Sequence, residues 1–208
     1  MENLEAYYKQ FETHKATLVQ DTDRYTVIDW RREDGGGNYY VNYIIDKKRG
    51  ALIVSGDIGD SIAVWHNPLT VGKIRRFIRN DIMYYVKKIQ CASDLYYYGD
   101  SDAVFEDIRL CLDEEVVKEL VEEENSYIYS TVEEYWDYIK GEVEKSCEYY
   151  HDFRPTESLT DELQKFDPEY YQWLESCGRD IYPRVYCWAK GLDMACEQLE
   201  KQGVDLNA

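Results

Sequence analysis

The chain has 208 residues, of which 44% are hydrophobic and 32% charged, and it carries a net charge of −18. A chain of this length buries roughly 70% of the surface that its unfolded form exposes, so it needs no staples to fold. Twenty-one tyrosines exclude a disordered chain, 12 glycines and four prolines exclude a collagen-like one, and the acidic excess leaves no overall basic field for nucleic acid.

In chain order, residues 3–18 read as a helix, because Leu4, Tyr7, Tyr8, Phe11 and Lys15 follow a 3.6 period. Residues 25–31, 39–45, 51–55 and 61–65 read as four short strands. They are rich in β-branched and aromatic residues, and Gly-Asp-Asn turns at 34–38, 46–50 and 56–60 separate them. Pro68 breaks the chain, and Thr70 caps a helix running to about Ile89 with Ile74, Phe77, Ile78, Ile82, Tyr85, Val86 and Ile89 on its apolar stripe. Lys73, Arg75, Arg76 and Arg79 crowd the first two turns of that helix, against the dipole. Acidic neighbours in the fold would explain them.

From residue 91 onward the period is helical. Residues 102–123 form one helix with a break near 111–113. A second is expected from a capping box, Ser130 with Glu133, to about Tyr150. A short helical turn follows from Thr160 to Phe166, then a helix 169–176 behind Pro168. The last helix starts at Pro183, ends near Lys201 and is stopped by Gly203. The fold class is therefore α+β: a short antiparallel sheet of about four strands followed by a mostly helical acidic region. A single domain over 1–208 is expected, with a possible subdivision into 1–90 and 91–208.

Residues 1–19 lack a basic head followed by an apolar run, so no signal peptide is expected. The apolar stretches are short, such as Ala51–Val54, and predict no membrane span. Six widely spaced cysteines then read as reduced thiols of a cytoplasmic protein.

The chemistry-bearing motifs are mostly missing. Three scattered histidines, with no HExxH and no CxxC, point to no metal. Gly35-Gly36-Gly37 lacks the Lys-Ser/Thr of a phosphate loop and reads as a hairpin turn, and Gly56–Gly59 joins two strands rather than a strand and a helix. No cofactor and no catalytic residue is identified. An enzyme with an unrecognised site stands as a further alternative.

The charge is unevenly spread. Residues 1–90 hold 14 Lys/Arg against 12 Asp/Glu, and residues 91–208 hold 10 against 30. Carboxylates three and four apart on a helix lie about 6 Å apart, close to the spacing of phosphates along a nucleic-acid strand. Tyrosine offers large contact area at low entropic cost. Glu115, Glu119, Glu122, Glu123, Tyr127 and Tyr129 are the candidate partner-binding residues on these grounds. The alternative is direct nucleic-acid binding through Arg75, Arg76 and Arg79 on the basic 73–88 helix, facing solvent together with Lys47 to Arg49.

The stretch Tyr39 to Trp65, with Gly56, Asp57, Gly59 and Trp65 as its marks, resembles small proteins carried by prophages and mobile elements of Gram-positive bacteria. The resemblance implies a context rather than a catalytic site. Such genes sit among counter-defence proteins, including inhibitors of CRISPR nucleases. The expected function is a non-catalytic acidic protein that inhibits a bacterial nucleic-acid-handling enzyme, by nucleic-acid mimicry, in the host-cell cytoplasm. The partner is then a protein, with no membrane and no cofactor.

Overall fold

A computed structural model describes residues 4–123, 128–148 and 153–207. The chain divides into two compact units. Met1–Leu95 and Ile181–Ala208 form a sheet unit, and Tyr96–Asp180 forms a helical unit.

The sheet unit opens with α1 (Leu4–Lys9) and β1 (His14–Asp21), and continues through β2 (Tyr25–Arg32), β3 (Val41–Asp46), β4 (Ala51–Gly56) and β5 (Ser61–Val64). After α2 (Val71–Asn80) and α3 (Ile82–Val86), β6 (Ile89–Ala92) closes the sheet. The six strands form an antiparallel meander in sequence order. The four strands expected from the sequence are β2 to β5. The expected count of about four is corrected to six in this sheet, because β1 and β6 add to its two edges.

The expected helix over 3–18 ends at Lys9, and the chain from His14 turns to strand. Burial there alternates in steps of two: His14 and Ala16 are buried, Lys15 and Thr17 exposed. Pairing with β2, Ala16 opposite Trp30 and His14 opposite Arg32, overrides the local helical period. The expected helix over 70–89 is interrupted at Asp81, which ends α2 and caps α3 by accepting a hydrogen bond from the Tyr84 amide at 2.9 Å.

One sheet face carries the core: Ile28, Trp30, Val41, Tyr43, Ile45, Leu52, Val54 and Ala63 are all buried. Their register runs straight across the strands, Trp30 opposite Val41 and Leu52 opposite Ala63. The helix α9 (Pro183–Lys201) packs on this face. Gly191 permits the approach, because a Cβ there would collide with the Tyr43 hydroxyl. That hydroxyl donates to the Trp188 carbonyl at 2.9 Å. Gln198 of α9 reaches the edge strand, accepting from the Ala16 amide at 3.0 Å and donating to the His14 carbonyl at 2.9 Å. A side chain from the covering helix thus occupies backbone groups that an edge strand would otherwise offer to another chain.

The chain enters the helical unit on β7 (Tyr96–Tyr98) and leaves on β8 (Arg179–Ile181), which pair with each other. Between them lie α4 (Ser101–Cys111), α5 (Glu114–Glu123), α6 (Val132–Ser146), α7 (Glu157–Phe166) and the short α8 (Tyr171–Leu174). The break expected near 111–113 is there, at Leu112 and Asp113. The capping residue of α6 is Thr131 rather than Ser130. The Thr131 side chain accepts from the Glu134 amide, and the Glu134 carboxylate reaches back to the Ser130 amide at 2.8 Å and hydroxyl at 2.7 Å. The box is shifted by one residue, with Glu134 in the place expected for Glu133. Val104, Ile108, Val117, Tyr135, Ile139, Val143, Leu159 and Leu163 fill a core of their own.

No described helix is long and apolar enough to cross a membrane.

Candidate functional site

The basic candidates lie in the sheet unit. Arg75 and Arg79 are one turn apart, so they share a face of α2. That face meets Asp193, Glu197 and Glu200, which follow one another along α9. Arg75 donates to Asp193 at 2.6 Å, to Glu200 at 2.8 Å and to Glu197 at 3.3 Å, and its side chain is only 12% exposed. Arg79 lies 2.9 Å from both Asp193 and Glu197. Burial pushes the Asp193 carboxyl up, but hydrogen bonds from Arg75 and Arg79 outweigh it and hold the group below its usual range. The acidic neighbours that would explain cations early in α2 are therefore on α9.

Arg76 and Lys73 remain exposed. Lys73 lines a shallow groove of about 490 Å³ with Lys47 and Lys48, but Asp21 and Asp23 line it too. The amides opening α2 are already in use: Gly72 donates to the Leu206 carbonyl at 3.0 Å and Lys73 to the Thr70 hydroxyl at 3.3 Å. Of the three arginines expected to face solvent together, Arg75 is withdrawn against α9 and Arg79, although exposed, is paired with Asp193 and Glu197, so Arg76 alone of the three is exposed with no ion pair among the described residues.

Gly56, Asp57 and Trp65, three marks of the stretch from Tyr39 to Trp65, have structural work in this unit. Gly56 lets the Tyr40 carbonyl pack against its Cα, where a Cβ would collide. Asp57 accepts from the Tyr39 amide at 2.8 Å and so holds Tyr39 at a φ of 58°. Trp65 stacks on Phe77 and Tyr85, at centroid distances of 6.5 and 6.3 Å.

The acidic candidates lie in the helical unit. Tyr96–Asp180 contains 25 Asp/Glu and seven Lys/Arg, a net of −18. The remainder of the chain contains 17 of each and is neutral. Folding thus sharpens the asymmetry seen along the sequence, because α9 returns Arg184, Lys190 and Lys201 to the sheet unit along with its acids.

The helix α5 packs by Val117 and Val121 and turns Glu115, Glu119, Glu122 and Glu123 to solvent. Among the described residues none of these four joins an ion pair. Glu115 and Glu119, and Glu119 and Glu123, are like charges one turn apart, each pair costing about 0.2–0.5 kcal/mol. Glu122 and Glu123 stand in the last turn, which holds no base and where the dipole disfavours acids by about 0.3–1 kcal/mol each. Val116, on α5 next to Glu115, is 39% exposed, which adds apolar contact area beside the acids.

Tyr129 is corrected from the candidate surface to the core. It is 2% exposed, and its hydroxyl donates to Glu162 at 2.9 Å. Tyr127 lies outside the described residues.

The buried acids of this unit are a different population. Glu142 accepts from Lys145 at 2.6 Å and from the Thr156 hydroxyl at 2.7 Å. The Lys145 hydrogen bond is the main reason its carboxyl sits below the usual range. Glu162 accepts from Tyr129 and from Lys165 at 2.8 Å. Sequence reasoning could not separate these two from the surface acids, since all lie on amphipathic helices.

No three His, Cys, Asp or Glu side chains among the described residues converge as a metal-binding set. Comparison with family models, curated proteins and solved structures gives no match.

Proposed function

We propose that this is a non-catalytic binding protein whose acidic helical unit docks on the basic, nucleic-acid-binding face of a partner enzyme, such as a bacterial defence nuclease. The observation that supports this most directly is the exposed face of α5. Glu115, Glu119, Glu122 and Glu123 join no ion pair among the described residues, and they stand there against like-charge repulsion and, at Glu122 and Glu123, against the helix dipole. Surface charge kept at a local cost favours a role outside the fold. An acidic stripe at helical spacing matches a groove built for phosphates in sign and in step, and speeds encounter with it. Direct nucleic-acid binding is less well supported, since two of its three arginines are engaged by α9.

The test is nuclease activity, with CRISPR effector nucleases included, measured against rising concentrations of the purified protein. Inhibition that added substrate DNA competes away is the expected result. The triple change Glu119→Lys, Glu122→Lys and Glu123→Lys should leave thermal stability almost unmoved, since surface changes usually cost within about 0.5 kcal/mol each. The same change should slow association at least about tenfold at low salt. Full inhibition by the triple variant would remove α5 as the docking face. An absence of inhibition across the panel would remove the class of function, and a gel shift with DNA alone would favour the basic helix instead.

A further inference from the structure

A stripe of α4 holds the turn that precedes β8. Val104, Asp107 and Cys111 lie along one side of that helix at spacings of three and four. Gly178 packs on Val104 so closely that a Cβ on it would collide with the valine. The Gly178 amide donates to the Asp107 carboxylate at 2.7 Å, and its carbonyl accepts from Gly99 at 2.7 Å. One turn beyond Asp107 stands Cys111, and one residue before Gly178 stands Cys177. The contacts of Gly178 with Val104 and Asp107 bring these two thiols into one neighbourhood, where each influences the ionisation of the other. Cys111 is exposed and Cys177 is buried against the core, with its sulfur 3.7 Å from the Trp173 carbonyl.

We propose that Cys111 and Cys177 are a redox-responsive pair that closes to a disulfide when a low-molecular-weight disulfide, such as oxidised glutathione, reaches Cys111. The exposed Cys111 loses its proton to solvent, and the thiolate attacks one sulfur of the small disulfide. That S–S bond breaks and the first small thiolate leaves, giving a mixed disulfide at Cys111. Cys177 then loses its proton and attacks the Cys111 sulfur, expelling the second small thiol. Two protein thiols are oxidised and one small disulfide is reduced to two thiols. The bond clasps the end of α4 to the turn before β8, and the segment between the two cysteines carries α5, α6, α7 and α8. Closing so long a loop constrains the unfolded helical unit and stabilises the folded one.

Burial raises both thiols, Cys177 to about 12; at Cys111 the neighbouring Cys177 thiol opposes the rise, while the Asp107 and Asp167 carboxylates add to it. Cys111, the exposed thiol of the two, is the attacking sulfur, and buried Cys177 acts only after the mixed disulfide has formed. Below the Cys111 pKa the rate should rise about tenfold per pH unit, as the thiolate fraction does.

The experiment treats the native, reduced protein with oxidised glutathione and follows it by thiol titration, intact mass and non-reducing peptide mapping. The expected result is a fall from six free thiols to four, a loss of two hydrogens without a retained adduct, and a cross-link between the Cys111 and Cys177 peptides. The oxidised helical unit should melt at a higher temperature, and dithiothreitol should reverse this. Cys177→Ser should stop at a stable glutathione adduct on Cys111, and Cys111→Ser should block both. A persistent adduct on Cys111 in the unaltered protein, six surviving thiols, or a cross-link through another cysteine would overturn the proposal. These readouts on the unaltered protein decide the matter even if Cys177→Ser fails to fold.

Discussion

The two units treat charge in opposite ways. The sheet unit has 17 acids and 17 bases, and the helical unit 25 acids and seven bases. In the first, cations find carboxylates within the fold: Arg24 with Asp46, Lys47 with Asp21, Arg75 and Arg79 with Asp193. In the second, Lys140, Lys145 and Lys165 are taken by Asp102, Glu142 and Glu162, and Glu115, Glu119, Glu122 and Glu123 are left facing solvent. A charged residue type therefore has no fixed meaning in this chain. A carboxylate is a structural element where a buried cation or hydroxyl meets it, and a free surface charge where the supply of cations has run out.

The sharpest way to break this comparison is at Arg75. Arg75→Ala leaves Asp193 half-buried with a weaker counter-charge and should destabilise the sheet unit by roughly 3 kcal/mol in urea unfolding. Its exposed neighbour gives the control: Arg76→Ala should change stability by less than about 0.5 kcal/mol. Equal effects would mean that the α2–α9 network contributes nothing the solvent does not.

A smaller effect separates core from surface in the helical unit. Tyr129→Phe removes one donor from buried Glu162 and should cost about 1 kcal/mol, with no change in partner association. A loss of association at unchanged stability would return Tyr129 to the docking surface.

The smallest effect is on pH. Burial, with Arg32 adding to it, lowers the His14 pKa from its ordinary 6.5, so the folded sheet unit holds this ring neutral. The unfolded chain takes up the proton first as pH falls below 6.5, and stability is lost from there down to the lowered folded value, by at most about 1.4 kcal/mol per pH unit. Glu142 in the helical unit has the opposite history. Its folded pKa lies below the ordinary 4.5, so its contribution is fully present above 4.5 and is lost only as pH falls through the lower folded value. Hydrogen exchange read unit by unit between pH 7 and 5 should therefore show the sheet unit weakening first, and His14→Gln should flatten that slope.

Much of the fold was legible along the chain. The strands β2 to β5, the break between α4 and α5, and the whole of α9 from Pro183 to Lys201 follow from apolar period and turn chemistry, which act over a few residues. The edge strands were not. His14–Asp21 takes its conformation from the β2 backbone opposite it, and Ile89–Ala92 from β5. The partner of Ile89–Ala92 lies beyond two helices, and that of His14–Asp21, only a short turn away, was masked by the helical spacing of Phe11 and Lys15. The candidate acids of α5 were legible as a helical stripe, whereas Tyr129 was not legible as a core residue, because its reason for burial, Glu162, lies 33 positions away.

What the sequence determined by itself is the local layer: a meander giving way to helices, the caps and turns, and an acidic excess concentrated after residue 90. What only the tertiary structure decided is which charges are answered. Arg75 and Asp193 are 118 positions apart, and they meet because α9 returns from the far end of the chain to cover the sheet. The same return divides the charge into a neutral unit and one of −18. Propensity and period are set by neighbours in the chain, but the pairing of charges is set by neighbours in space.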